Sequence, residues 1–121
     1  MPSLGEVIER ANRIKPNRYG DDVLTSWVSD LDGRAALEVI GQDTAPEYKW
    51  PEDGDRELLV PSPFSRVYEL YLTAMIDFHN REMESYQNDM EAFNDAMSEW
   101  MAWYRRTNLP KGTGGYTNVL Y

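Results

Sequence analysis

Residues 62–106 carry two consecutive apolar runs at helical spacing, and no other stretch constrains the fold as strongly. The first run opens Ser62-Pro63-Phe64. Serine is a favoured N-cap, and proline is tolerated in a first turn because the N–H it lacks would have no intrahelical partner. Phe64, Val67, Tyr68, Tyr71, Met75 and Phe78 share one stripe, while Leu70, Leu72, Ala74 and Ile76 fill much of the remaining circumference. A helix that is apolar nearly all round belongs in an interior. The second run is Met83, Tyr86, Met90, Phe93, Met97, Trp100 and Tyr104, spaced alternately by three and four residues as a heptad seam. Glu82, Glu84, Asp89, Glu91, Asp95 and Glu99 fall off that seam and are expected to face water. A single rod over this stretch would run roughly 65 Å at 1.5 Å per residue. A domain of this size has a radius of gyration of only about 14 Å. A turn near Asn80-Arg81 therefore folds the two runs back as an αα-hairpin.

The upstream residues read as two shorter helices. Ser3-Leu4-Gly5-Glu6 is a capping box, followed at helical spacing by Leu4, Val7, Ile8, Ala11 and Ile14 and closed by Pro16. A second helix starts at Asp21 or Asp22. Its buried stripe is Leu24, Trp27, Val28, Leu31, Ala35 and Val39, widened by Leu37 and Ile40, with Gly41 as its stop. Gly33 in its middle costs about 1 kcal/mol relative to alanine, which implies either a close neighbour or a bend. Residues 42–61 hold Pro46, Pro51, Gly54 and Pro61 and read as a loop region, with Tyr48 and Trp50 in need of cover. Within the 45–60 loop, Tyr48-Lys49-Trp50 and Glu57-Leu58-Leu59-Val60 could pair as a short β-hairpin, against which Pro51 counts. The fold class is all-α: one small four-helix domain over residues 1–110 with a long C-terminal αα-hairpin, then a flexible C-terminal arm over 111–121. The arm is glycine-rich and ends in the strand-like run Tyr116-Thr117-Asn118-Val119-Leu120-Tyr121. It could dock on a neighbour, or fold on its own domain or fray.

Charge and composition exclude several classes of function. Twenty-one acids against 12 bases give a net charge of −9, which argues against wrapping nucleic acid, where affinity comes from neutralising phosphates. The excess acid serves solubility, or it makes a wall past which DNA slides without sticking. The absence of cysteine excludes disulfides and thiolate metal sites. The Met1-Pro2-Ser3-Leu4 start lacks the pattern of a signal peptide, and no apolar run approaches the ~18–20 residues of a membrane span. These features point to synthesis in a cytoplasm, with no membrane partner.

No pattern of catalytic chemistry emerges. His79 is the only histidine, and Ile76 stands where a Glu-x-x-His motif would need its glutamate. A polar residue at a helix end is its simplest role. Lys111-Gly112-Thr113 lacks the upstream glycines of a phosphate loop and follows a helix rather than a strand. Neither an enzyme nor a cofactor or metal site is expected. The aromatic surplus is more suggestive. Trp100, Trp103 and Tyr104, with Met101 between them, cannot all face one small core. Trp103 then lies either in a contact between subunits, where aromatics dominate binding energy, or under peripheral cover. The candidate protein interface is Trp100, Trp103, Tyr104, Tyr116, Val119, Leu120 and Tyr121.

Several stretches in order carry a family resemblance. They are Arg13-Ile14-Lys15-Pro16-Asn17, Leu31-Asp32-Gly33-Arg34, Glu57-Leu58-Leu59-Val60-Pro61-Ser62-Pro63-Phe64, Tyr71-Leu72-Thr73-Ala74-Met75-Ile76-Asp77, Phe93-Asn94 and Trp103-Tyr104-Arg105-Arg106-Thr107-Asn108-Leu109-Pro110. Over about residues 5 to 110 the chain resembles head–tail connector (adaptor) proteins of tailed bacteriophages and prophages. The resemblance implies a small helical domain with a long helical hairpin and a structural, non-enzymatic role at the head–tail junction of the virion. It implies a homo-oligomeric ring that meets the portal protein and the tail-completion or stopper proteins and passes DNA without specific binding. The competing expectation is a cytoplasmic helical interaction module that regulates one partner protein.

Overall fold

A computed structural model describes residues 2–108 of the chain as four α-helices, the second extended by a π-helical turn. Helix α1 spans Leu4–Ile14 and starts from the expected capping box. The Glu6 N–H donates to Ser3 Oγ at 3.2 Å, and the Ser3 N–H donates back to Glu6 Oε1 at 3.0 Å. These bonds hold the Glu6 carboxyl below its ordinary range. Leu4, Val7, Ile8 and Ala11 are buried, but Ile14 is 62% exposed. The inward place after Ala11 falls instead to Lys15, four residues on, whose ammonium reaches the core-facing Asp77.

Helix α2 spans Asp21–Arg34 with Gly20 as its N-cap, and the chain continues helically through the π-turn Ala35–Ile40 before stopping at Gly41, whose φ is 87°. Leu24, Trp27, Val28, Leu31 and Ala35 form the buried stripe. The wider π geometry changes the phase of the side chains, so Leu37 turns outward at 48% exposure and Val39 and Ile40 are half-buried. The close neighbour of Gly33 is the loop: a Cβ there would sit 3.4 Å from the Ala45 side chain.

The loop between α2 and α3 does not form the hairpin considered above. Glu57 pairs instead with Ser3 in an antiparallel bridge, flanked by Leu4 N–H to Arg56 O and Leu58 N–H to Pro2 O, both at 3.0 Å. Pro51 has no N–H to donate to a ladder. The segment after Trp50 curls into turns through Gly54 N–H to Pro51 O and Arg56 N–H to Asp53 O. Among the described residues this bridge is the only extended pairing.

Helix α3 spans Arg66–His79, starting later than the Ser62 cap predicted. A residue before proline is pushed away from helical backbone, and both Val60 and Ser62 precede one. Residues 61–65 form turns instead, including Phe64 N–H to Pro61 O at 2.8 Å. Val67, Tyr68, Tyr71, Leu72, Ala74 and Ile76 are buried, making α3 the central helix. Helix α4, Met83–Thr107, packs back along it as the expected αα-hairpin. Its buried residues are Phe93, Ala96 and Trp100, and the seam opens toward its start, where Met90 is half-buried and Met83 is 43% exposed.

The hairpin turn is a Schellman closure. The Arg81 N–H donates to Phe78 O at 3.0 Å, and the Glu82 N–H donates to Asp77 O at 2.9 Å. This motif needs a left-handed residue at the position after the cap, usually glycine. Here it is Arg81, at φ 62°.

Candidate functional site

The aromatic residues proposed from sequence separate once folded. Trp100 is 1% exposed and belongs to the core, so it offers no surface for a partner. Its position on the heptad seam, facing α3, outweighs its place among the interface candidates. Tyr104 tilts against it at 5.7 Å between ring centroids and stays half-buried. Trp103 packs on Phe64 at 5.2 Å, so the turn before α3 covers part of the ring and leaves it half-buried. Tyr116, Val119, Leu120 and Tyr121 lie outside the described residues, as does the arm over 111–121.

Two surfaces of α4 differ in chemistry. Glu84, Glu91 and Asp95 lie exposed along its outer side, as the heptad reading requires. On the side toward α2, a groove of about 250 Å³ opens between the π-turn and α4. Leu31, Ala35, Val39, Phe93, Met97 and Met101 form its apolar lining, and Arg34, Glu38 and Arg105 stand at its edges.

Three acids of chemical interest lie off the predicted interface. Asp32 is wholly buried. Its Oδ2 accepts from the Tyr48 hydroxyl at 2.6 Å and the Leu59 N–H at 3.1 Å, and its Oδ1 accepts from the Tyr68 hydroxyl at 2.6 Å. The Tyr68 hydroxyl also accepts from the Val60 N–H at 2.8 Å. One carboxyl on α2 thus ties down both ends of the long loop and the first turn of α3. Burial pushes the Asp32 carboxyl upward, opposed by the donors of Tyr48, Tyr68 and Leu59. Burial and this carboxyl together raise both tyrosine hydroxyls well above their ordinary value, which keeps them as donors.

Asp77 and Asp89 form a second acidic centre, at the hairpin end. Asp77 is also wholly buried, and the Lys15 ammonium stands 2.6 Å from its Oδ1 and 3.1 Å from Glu82 Oε2. Neither Asp77 oxygen has a partner at good hydrogen-bonding angles, so the Lys15 contact is a pairing of charge. Its contact with Asp77 first, and with Glu82 second, raises the Lys15 ammonium above its usual value. Asp89, expected to face water, instead turns toward Asp77. Its carboxyl is raised to about 6, by burial first and by the neighbouring Asp77 carboxyl second. His79 stacks on Trp27 at 5.0 Å, with Nδ1 2.9 Å from Met75 O, and so caps an aromatic edge near the same turn.

The sequence carried a signal for these acids. Asp32 follows Val28 by four residues on the apolar stripe of α2, and Asp77 interrupts the run Met75-Ile76-Phe78. A charge on an apolar face marks a buried, partnered group. Asp89 had no such signal, because its contact with Asp77 depends on how α4 crosses α3.

Among the described residues no three acid or histidine side chains are placed to hold a metal ion, and no helix is long and apolar enough to cross a membrane. No family model matches this chain, and no curated protein or solved structure matches it.

Proposed function

We propose that this chain is a structural protein of the tailed-phage head–tail junction, assembling as a homo-oligomeric ring that joins the portal to the tail-completion proteins and passes DNA. The observation that carries the reading is the long C-terminal αα-hairpin on a small helical domain, the plan implied by the family resemblance and derived separately from the heptad seam. In this role the outer side of α4 is a channel wall. Glu84, Glu91 and Asp95 repel phosphates, so DNA slides past without binding. A ring requires a heterologous contact, one patch meeting a different one. Trp103 and Tyr104, half-buried beside the exposed Arg105 and Arg106, contribute to it from the end of α4.

The test is assembly with a portal protein from the same phage or prophage. The expected result is co-sedimentation as a complex of ring mass, weakened by Trp103→Ala with the helical signal in circular dichroism unchanged. A chain that remains small in the presence of portal protein overturns the connector reading in favour of a regulatory module.

A further inference from the structure

We infer that the apolar groove between the π-turn and α4 is the docking site of this chain's own residues 116–121. The groove leaves Val39, Met97 and Met101 only partly covered. It exists because α2 widens into the π-turn Ala35–Ile40, which carries Ala35 and Val39 onto its wall. Such local widening recurs at functional sites.

Reach and chemistry both select the occupant. Helix α4 ends at Thr107, about 9 Å beyond Met101 and about 21 Å beyond Phe93 at 1.5 Å per residue. Gly112, Gly114 and Gly115 then allow the chain to reverse. Six residues running back in extended form cover about 20 Å at 3.3 Å each, the length of the groove from the helix end to Phe93. Residues 116–121 supply Val119 and Leu120 for the apolar lining. Tyr116 and Tyr121 bring rings whose hydroxyls suit the Arg34, Glu38 and Arg105 edges. A short covalent tether gives a segment an effective concentration on the order of millimolar, which favours the chain's own residues over those of a second copy. The inference does not rest on the phage-connector reading.

The sequence contains no cysteine, so engineered disulfides report the contact directly. Glu38→Cys on the groove edge is paired with Leu120→Cys. Glu84→Cys with Leu120→Cys is the control at the far end of α4. The expected result under mild oxidation is a disulfide within one chain for the Glu38 pair, its rate unchanged on dilution. That rate exceeds the control by roughly fivefold or more, because both pairs share one tether and only docking holds Leu120 at the groove edge. Adding Val119→Asp and Tyr121→Asp, outside the helical domain, should bring it down to the control. The inference is overturned by equal rates for the two pairs, by disulfides only between copies, by no disulfide, or by indifference to the two aspartates.

Discussion

Asp32 and Asp77 are both withdrawn completely from solvent, yet the two ends of the domain accommodate a buried acid in opposite ways. Asp32 accepts from two hydroxyls and one N–H, all held by packed residues. Asp77 has the ammonium of Lys15, a side chain 29% exposed, and shares its surroundings with a second acid, Asp89. Neutral donors with fixed geometry lock one conformation. A partly exposed cation between competing acids leaves a balance that small changes shift. The comparison predicts that the Asp32 end sets the stability of the fold and that the Asp77 end sets its dependence on conditions.

The largest effect should come from breaking the first arrangement. Asp32→Ala leaves the Tyr48 hydroxyl, the Leu59 N–H and part of the bonding of Tyr68 without an acceptor in a buried place. Each buried donor left without an acceptor costs about 1–3 kcal/mol, and this change strands more of them than any other single substitution in the network. Tyr68→Phe, which also strands the Val60 N–H, should cost about 1–3 kcal/mol. Urea denaturation reads both. If Asp32→Ala costs no more than Tyr68→Phe, the carboxyl is not the node of the network.

The turn at the other end allows the opposite experiment. Arg81 holds a left-handed backbone that costs a non-glycine residue about 1–2 kcal/mol, partly offset by the greater freedom glycine loses on folding, about 0.5–1 kcal/mol. Arg81→Gly should therefore stabilise the chain by about 0.5–1 kcal/mol, since the Schellman bonds run through backbone atoms alone. A lower melting temperature for this variant would show that the arginine side chain contributes to the turn.

The two ends were also unequally legible in the sequence. Ser3 and Glu6, the stripe from Leu24 to Ala35, Gly41 and the turn at Asn80-Arg81 follow from local rules, and these features are present in the fold. The start of α3 was misplaced because Ser62 satisfies the capping preference while Pro63 acts on it from the other side. Ile14 and Leu37 were placed inward by periodicity. Lys15 takes the inward place after Ala11, and a π-turn changes the phase at Leu37. The site was less legible than the fold. The chemistry of Trp100 suits an interface, yet it lies in the core, whereas Asp32 carries no motif and organises the loop. Periodicity identifies which face is buried, but the partner of a buried charge comes from segments far along the chain.

The smallest effect tests whether the acid pair is the tunable end. The Asp89 carboxyl is raised from the ordinary 3.8 to about 6. A carboxyl raised on folding binds its proton more tightly in the folded chain, so stability falls as pH rises from 3.8 through about 6. Above that window the ionised Asp89 carboxyl opposes folding, and below it the carboxyl is protonated in the folded and unfolded chain alike, so the contribution vanishes. Asp89→Asn removes the charge while keeping the shape. It should stabilise the chain at pH 7.5 by about 0.5 kcal/mol, a value discounted for the solvent that screens this partly exposed group. At pH 4 the same variant should gain almost nothing. Urea midpoints at the two pH values decide it. An equal gain at both would mean that Asp89 acts through packing, and the contrast with Asp32 would then rest on Lys15 alone.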